Sequence, residues 1–182
     1  DDDGAFDVVP FFWLPADGLR DREDDDRVPY TAWSAAGHLL TTPGGVIDPA
    51  FIAAHVARLG EIYDLRMLGF DRWRIDEFQR ALADTGADIP MHPVGQGFKD
   101  MAPAVDLLER LVAERRLRHG GHPVLTWCAS NTVATPDPAG NRKLDKMRSR
   151  GRIDGLVALA MALTTSAKFG GDEEWVPMCE TV

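Results

Sequence analysis

The apolar positions of this chain recur with two different periods, and the way those periods alternate orders the elements. Phe51, Ile52, His55, Val56, Leu59 and Ile62 fall three and four apart, which is the spacing of one helix face. Asp48 supplies an N-cap and Pro49 a first helical residue, so the pattern predicts a helix from Pro49 to about Tyr63, with His55 packed on its inner face. A second helix is expected from about Ile75 to Thr85, closed by Gly86. A third is expected from Ala102 to Arg118, with Val105, Leu108, Leu111 and Val112 turned inward. The last runs from about Arg152 to Thr165 and leads into a loose tail.

Between these helices lie short runs rich in β-branched and aromatic residues. Phe6 to Leu14, Leu39 to Thr42, Arg66 to Phe70 and Ile89 to Val94 read as strands. Pro10 has no N–H to give a sheet, which puts the first run at an edge or a bulge. Arg20 to Arg27 reads as a charged surface excursion leading to one small helix, Tyr30 to Ala36, and Val124 to Cys128 is a short apolar run. Thr132 to Lys143, broken by Pro136, Pro138 and Gly140, reads as a hairpin. Strands alternating with helices describe an α/β domain. A length of 182 residues, 45% of them hydrophobic, suffices for one core. The expectation is a single domain over 1–182, with its core at about 5–166 and a tail at 167–182.

The apolar stretch Gly155 to Leu163 is about half of what a bilayer requires, and the N-terminus is acidic where a signal peptide would be basic, so no membrane partner is expected. Cys128 and Cys179 lie far apart and form no zinc or disulfide pattern, which fits a reducing cytoplasm. With 20 basic against 29 acidic residues the net charge is −9, which argues against coating nucleic acid by bulk attraction. Local charge runs the other way. Arg142, Lys143, Lys146, Arg148, Arg150 and Arg152 face a single acid, Asp145, in a stripe suited either to phosphates or to plain solvation.

Two carboxylates stand out by position. Asp71 follows Leu68-Gly69-Phe70 at the carboxyl end of a predicted strand, where α/β folds gather functional side chains. Asp154 falls in the first turn of an otherwise apolar helix. Taken alone, Asp71 suits a turn and Asp154 suits the helix dipole. Held close together, they would repel unless a divalent cation lay between them. His119 and His122, separated by two glycines, read as a turn. Trp73 reads as covering the core at a helix start, with stacking on DNA as its second use. Ser34 and Ser130 show no nucleophile elbow.

An ordered series of short motifs carries a family resemblance. It comprises Phe12-Trp13-Leu14-Pro15, Val28-Pro29-Tyr30, Phe70-Asp71-Arg72-Trp73, Pro93 through Lys99, His119 through Val124, Ala129-Ser130-Asn131 and Arg152-Ile153-Asp154-Gly155. Together, over roughly residues 8 to 165, they resemble the C-terminal half of the tailed-phage terminase large subunit family. The resemblance implies an RNase H-like fold, a mixed central sheet flanked by helices, and a metal-dependent endonuclease with two Mg²⁺ or Mn²⁺ ions that cuts concatemeric viral DNA. It assigns metal binding to Asp71 and Asp154, a loop role to Gln96 and Lys99, and phosphate contact to Lys146. It also implies double-stranded DNA, an ATPase domain, the small terminase subunit and the portal as partners, in the cytoplasm of the bacterial host.

In that family a first strand bearing a third aspartate precedes the turn at Asp1 to Gly4, and an ATPase half precedes the nuclease. No GxxxxGK[ST] loop occurs in the chain. The chain as given is therefore expected not to translocate DNA, and to cleave it poorly or not at all. The other reading is a non-catalytic RNase H-like module that binds DNA or docks on the portal.

Overall fold

Pro10 divides the first predicted strand. In the computed structural model, which describes residues 4–73 and 75–170, it becomes β1 (Phe6–Asp7) and β2 (Trp13–Pro15). The charged stretch that follows is helical, contrary to the sequence expectation: α1 (Leu19–Asp26) buries no residue and ends where Arg27 turns left-handed. A helix polar on every side gives no periodic signal, so pattern alone could not find it. Glu23 fastens α1 to α2 (Tyr30–Ala35) by accepting from the backbone N–H and the hydroxyl of Thr31, at 2.7 and 2.5 Å.

β3 (Leu40–Thr42) precedes α3 (Pro49–Ile62), whose N-terminus is capped as expected, the Asp48 carboxylate accepting from Ala50 N. β4 (Leu68–Phe70), α4 (Asp76–Asp84) and β5 (Met91–Pro93) come next, with Gly86 left-handed after α4. α5 (Phe98–Ala113) starts earlier than expected and also stops earlier. Arg115 turns left-handed at φ 58, and this frees Leu117–Arg118 to form β6 beside β1. The apolar run near Cys128 is α6 (Pro123–Asn131), started by Pro123 and by His122, whose ring accepts from Leu125 N. β7 (Ala134–Pro136) and β8 (Arg142–Leu144) form the expected hairpin. α7 (Asp154–Phe169) extends four residues past its predicted end, into the predicted tail; the remainder of that tail, 171–182, lies outside the described residues.

Strands pair two by two. β1 with β6, β2 with β3 and β4 with β5 are parallel, and β7 with β8 is antiparallel. Helices join the pairs through apolar clusters. One cluster holds Val94, Met101 and Ala104 with Ile153, Val157, Ala160 and Met161, tying the end of β5 to the first turns of α5 and α7. A second joins Leu108 and Leu111 to Leu125, Leu159 and Leu163. A third, of Val28, Tyr30 and Leu39, is flanked by Trp33 and Trp127. Gly69 is required where β4 crosses α7, because a Cβ there would collide with the Thr165 hydroxyl.

His38, His55, His119 and His122 line one partly buried aromatic region. His55 packs edge-on against Phe11 and Trp13, with centroids 4.5 and 5.5 Å away, and its Nε2 is buried without a partner. Burial, aided by the nearby Arg58 charge, holds its pKa below the usual 6.5. Burial likewise lowers that of His122, with smaller contributions from His38 and His119. A histidine depressed in the folded state binds its proton more readily when unfolded, so the stability it contributes is complete above 6.5. That contribution is lost as pH falls from 6.5 through the folded values. Thermal unfolding midpoints should therefore drop on acidification across this window, and His55→Gln should reduce the drop.

Candidate functional site

Parallel pairing sends the chain out of β4 and β5 on the same side, so Asp71 and the loop after Pro93 leave the sheet together. Gln96 in that loop meets Asp71 directly. Its Nε2 donates to Asp71 Oδ2 at 2.6 Å, and Trp73 N donates to Oδ1 at 3.2 Å. Val94, at the base of the loop, belongs to the same apolar cluster as Met101 and Ile153, which sets the loop against the starts of α5 and α7. Asp154 opens α7. Its carboxylate is exposed and accepts from Lys146 Nζ at 2.7 Å.

The hairpin links these two pairs. Lys143 lies over the Phe98 ring at 4.8 Å, just after the Gln96 loop, and Leu144 packs on the cluster that contains Ile153. Lys146 follows in a turn that Asp145 organises. That carboxylate accepts from the Thr135 hydroxyl at 2.8 Å and from the backbone of Met147 and Arg148. The Thr135 bond, supported by those backbone donors, holds the Asp145 carboxyl below its usual pKa and keeps it charged. The stripe is thus a framed turn rather than a loose loop.

Its cations have different fates. Arg142 forks onto Asp106 at 2.6 Å and Glu109 at 2.7 Å, which fastens β8 to α5. Arg152 faces Asp26 at 3.7 Å, and Arg148 pairs distantly with Asp145 at 3.8 Å. Arg150 and Lys99 are exposed. Trp73 is 81% exposed and does not cover the core, because it sits in the turn after Asp71, ahead of α4. Carboxylate oxygens are the donors that a hard divalent ion takes. Among the described residues, however, no three His, Cys, Asp or Glu side chains gather as an ion-binding set. The donors fit such an ion in kind, but they are fewer than its usual coordination.

Residues 3–169 match the family described as terminase large subunit, endonuclease domain. The chain belongs to that family. The terminase large subunit of Enterobacteria phage HK97 is 51% identical over 162 residues, 89% of this chain and 32% of that protein. A crystal structure of the HK97 bacteriophage large terminase superposes with a TM-score of 0.86 at 50% identity, covering 91% of this chain and 34% of that one. Protein YmfN of Escherichia coli (strain K12) is 28% identical over 166 residues, 87% of this chain and 36% of its own length. This terminase chain therefore spans about a third of the length of those curated relatives. The large terminase nuclease of thermophilic phage G20c shares the fold at 17% identity, with a TM-score of 0.52 over 69% of this chain and 65% of its own. Structures of the G20c nuclease with bound magnesium and with bound cobalt also match. The fold of this terminase nuclease chain is RNase H-like, of mixed strand and helix.

The resemblance gave Gln96 a place in a recurring loop and no partner. The bond to Asp71 crosses 25 positions, a link that no local pattern carries. The commitment of Arg142 to α5 was equally hidden, since its two acids lie on another element. Arg142→Ala in this terminase chain is therefore expected to leave the salt dependence of DNA binding unchanged. Arg150→Ala should flatten the slope of log K against log salt by about one counterion. Titrations over a range of salt concentrations check both.

Proposed function

We propose that this chain is the DNA-cleaving part of a phage packaging terminase, in which Asp71 and Asp154 hold divalent cations, two Mg²⁺ or Mn²⁺ ions, for phosphodiester hydrolysis of concatemeric DNA. The observation that carries it is that Asp71, bonded to Gln96 of the loop after β5, and Asp154, bonded to Lys146, both stand at ends of elements anchored to the cluster of β5, α5 and α7. When bound, such ions activate a water for in-line attack and stabilise the departing oxygen. In the chain itself, Gln96 orients the Asp71 carboxylate through its amide. Lys146 neutralises Asp154 while no ion is held, and it is placed to turn toward a phosphate when one is. Arg148, Arg150 and the exposed Trp73 extend a surface for the backbone and bases. Metal ions bound to the G20c nuclease support this chemistry. By the same reasoning the chain works beside a terminase ATPase domain, a small subunit and a portal, in the host cytoplasm; among the described residues no helix is long and apolar enough to cross a membrane.

The test is conversion of supercoiled plasmid to nicked circles in Mg²⁺ or Mn²⁺, with loss in chelator. The second reading, a DNA-binding or portal-docking module without cleavage, is favoured by the shortfall of ligating side chains. Affinity for DNA with no nicking in any divalent metal would establish it.

A further inference from the structure

Asn131 ends α6, and both its backbone and its side chain reach the segment that leads into Asp154. Arg150 N donates to its carbonyl at 3.2 Å, and its own Nδ2 donates to the Arg152 carbonyl at 3.5 Å. The two bonds fall on either side of Gly151. That residue lies so near that a Cβ on it would sit 2.8 Å from Asn131 Nδ2, closer than such atoms approach. The half-buried Asn131 amide is thus seated in the bend, and glycine is required by the contact. Ser149 adds a third tie, its hydroxyl accepting from Val133 N at 3.1 Å, just beyond α6.

The same helix also meets the residue on the far side of Asp154. Cys128 lies three positions before Asn131, which puts the two side chains on one face of α6. A Cβ on Gly155 would come within 3.3 Å of the Cys128 sulfur and would collide with Phe12. α6 therefore packs against 151 and 155 alike, with Asp154 between them. α7 has no side-chain cap at Ile153, and the exposed Asp154 carboxylate bonds to the end of a flexible lysine. The direction of that carboxylate is accordingly set by the backbone beneath it.

We infer that Asn131 is a positioning residue: by strapping the Arg150–Arg152 bend to the end of α6, it fixes the start of α7 and so aims the Asp154 carboxylate. Two simpler roles leave these contacts unused. Closing α6 falls to Thr132, whose N–H and hydroxyl donate to Ala129 O and Cys128 O at 3.1 and 2.7 Å. Contact with DNA would need the Asn131 amide turned outward, whereas it is directed at the Arg152 carbonyl and pressed against Gly151. The bend also carries Arg150, which is exposed, so one amide keeps an acid and a cation of the candidate site in register. That Asp154 is aimed at a cation rests on the nuclease reading; the strap does not.

Amide hydrogen exchange in the full chain, measured in chelator, reads the strap without a metal. Leu156 and Val157 N–H, both bonded to Ile153 O at 3.0 Å, report on the first turn of α7. Asn131→Ala should speed their exchange about tenfold and leave the middle of α5 unchanged, and Ser130→Ala, at its exposed neighbour, should alter neither. Gly151→Ala should loosen the same turn, because its methyl would strike the amide. Combined, the two substitutions should be no worse than Asn131→Ala alone, since the methyl enters the vacated space. A side chain that merely added stability would not show this rescue. Mn²⁺ alone is then titrated while the Gly155 resonance is followed. Asn131→Ala should raise the concentration that half-broadens it by roughly tenfold, as loss of a group that orients a ligand does. No broadening in the unaltered chain would remove the metal reading of Asp154 and leave the strap to be decided by exchange. Unchanged exchange in Asn131→Ala, acceleration spread evenly over α5, α6 and α7, strictly additive substitutions, or an unmoved Mn²⁺ midpoint where broadening occurs would overturn the inference.

Discussion

Plasmid nicking in Mg²⁺ or Mn²⁺ is expected to fall on the order of 10²–10³-fold when either Asp71 or Asp154 is replaced by Asn, a loss comparable to removing a group that stabilises transition-state charge. Asn preserves the size and hydrogen-bonding reach of the side chain but removes the negative charge that holds a cation. A purely structural role would therefore tolerate it. An asparagine at 71 can keep the Trp73 N–H bond through its one oxygen, and a turned Gln96 amide can accept from the new NH₂ instead of donating, so folding should be spared. Asp154→Asn loses its pairing with Lys146 and leaves that ammonium free for DNA, so affinity should hold or rise while cleavage collapses. Nicking rates and DNA affinity, measured side by side, decide it. If both fall together, the acids act on binding or folding, and the metal assignment fails.

Unfolding in urea should show the largest stability loss at Leu111→Ala, about 2–5 kcal/mol. Leu111 is 1% exposed among Leu108, Leu125, Leu159 and Leu163, where helices α5, α6 and α7 meet, so its truncation leaves a cavity that those helices cannot readily close. Its neighbour Val112 is 58% exposed, and Val112→Ala should change stability by less than about 0.5 kcal/mol. The periodic pattern places both residues on the inner face, so the pair separates pattern from packing. Equal effects at the two positions would mean that α5 packs in a different rotation.

Much of the fold was written locally. The cap Asp48-Pro49, the terminator Gly86 and the apolar spacing of 101–111 and 153–163 each act within one or two turns of chain, and a helix formed at each, with α5 shifted four to five residues towards the N-terminus and α7 four residues longer than expected. The hairpin came from Pro136, Pro138 and Gly140 for the same reason. Illegible were α1, whose polar faces have no period, and β6, whose two residues become a strand only because β1 lies alongside. The candidate acids were visible because each stands at an element end, Asp71 after a strand and Asp154 before a helix.

Sequence by itself determined the family, the alternation of strands and helices, and the two carboxylates with their basic neighbours, because all of these reside in residue identity and short spacing. Tertiary structure decided which cations remain available, Arg142 being bound to Asp106 and Glu109 while Lys146 rests on Asp154. It also decided that Gln96 serves Asp71, and that histidines from positions 38, 55, 119 and 122 share one cavity. Such pairings join segments whose separation along the chain costs loop entropy and is repaid only by packing. They are properties of the assembled core, and no stretch of sequence taken alone contains them.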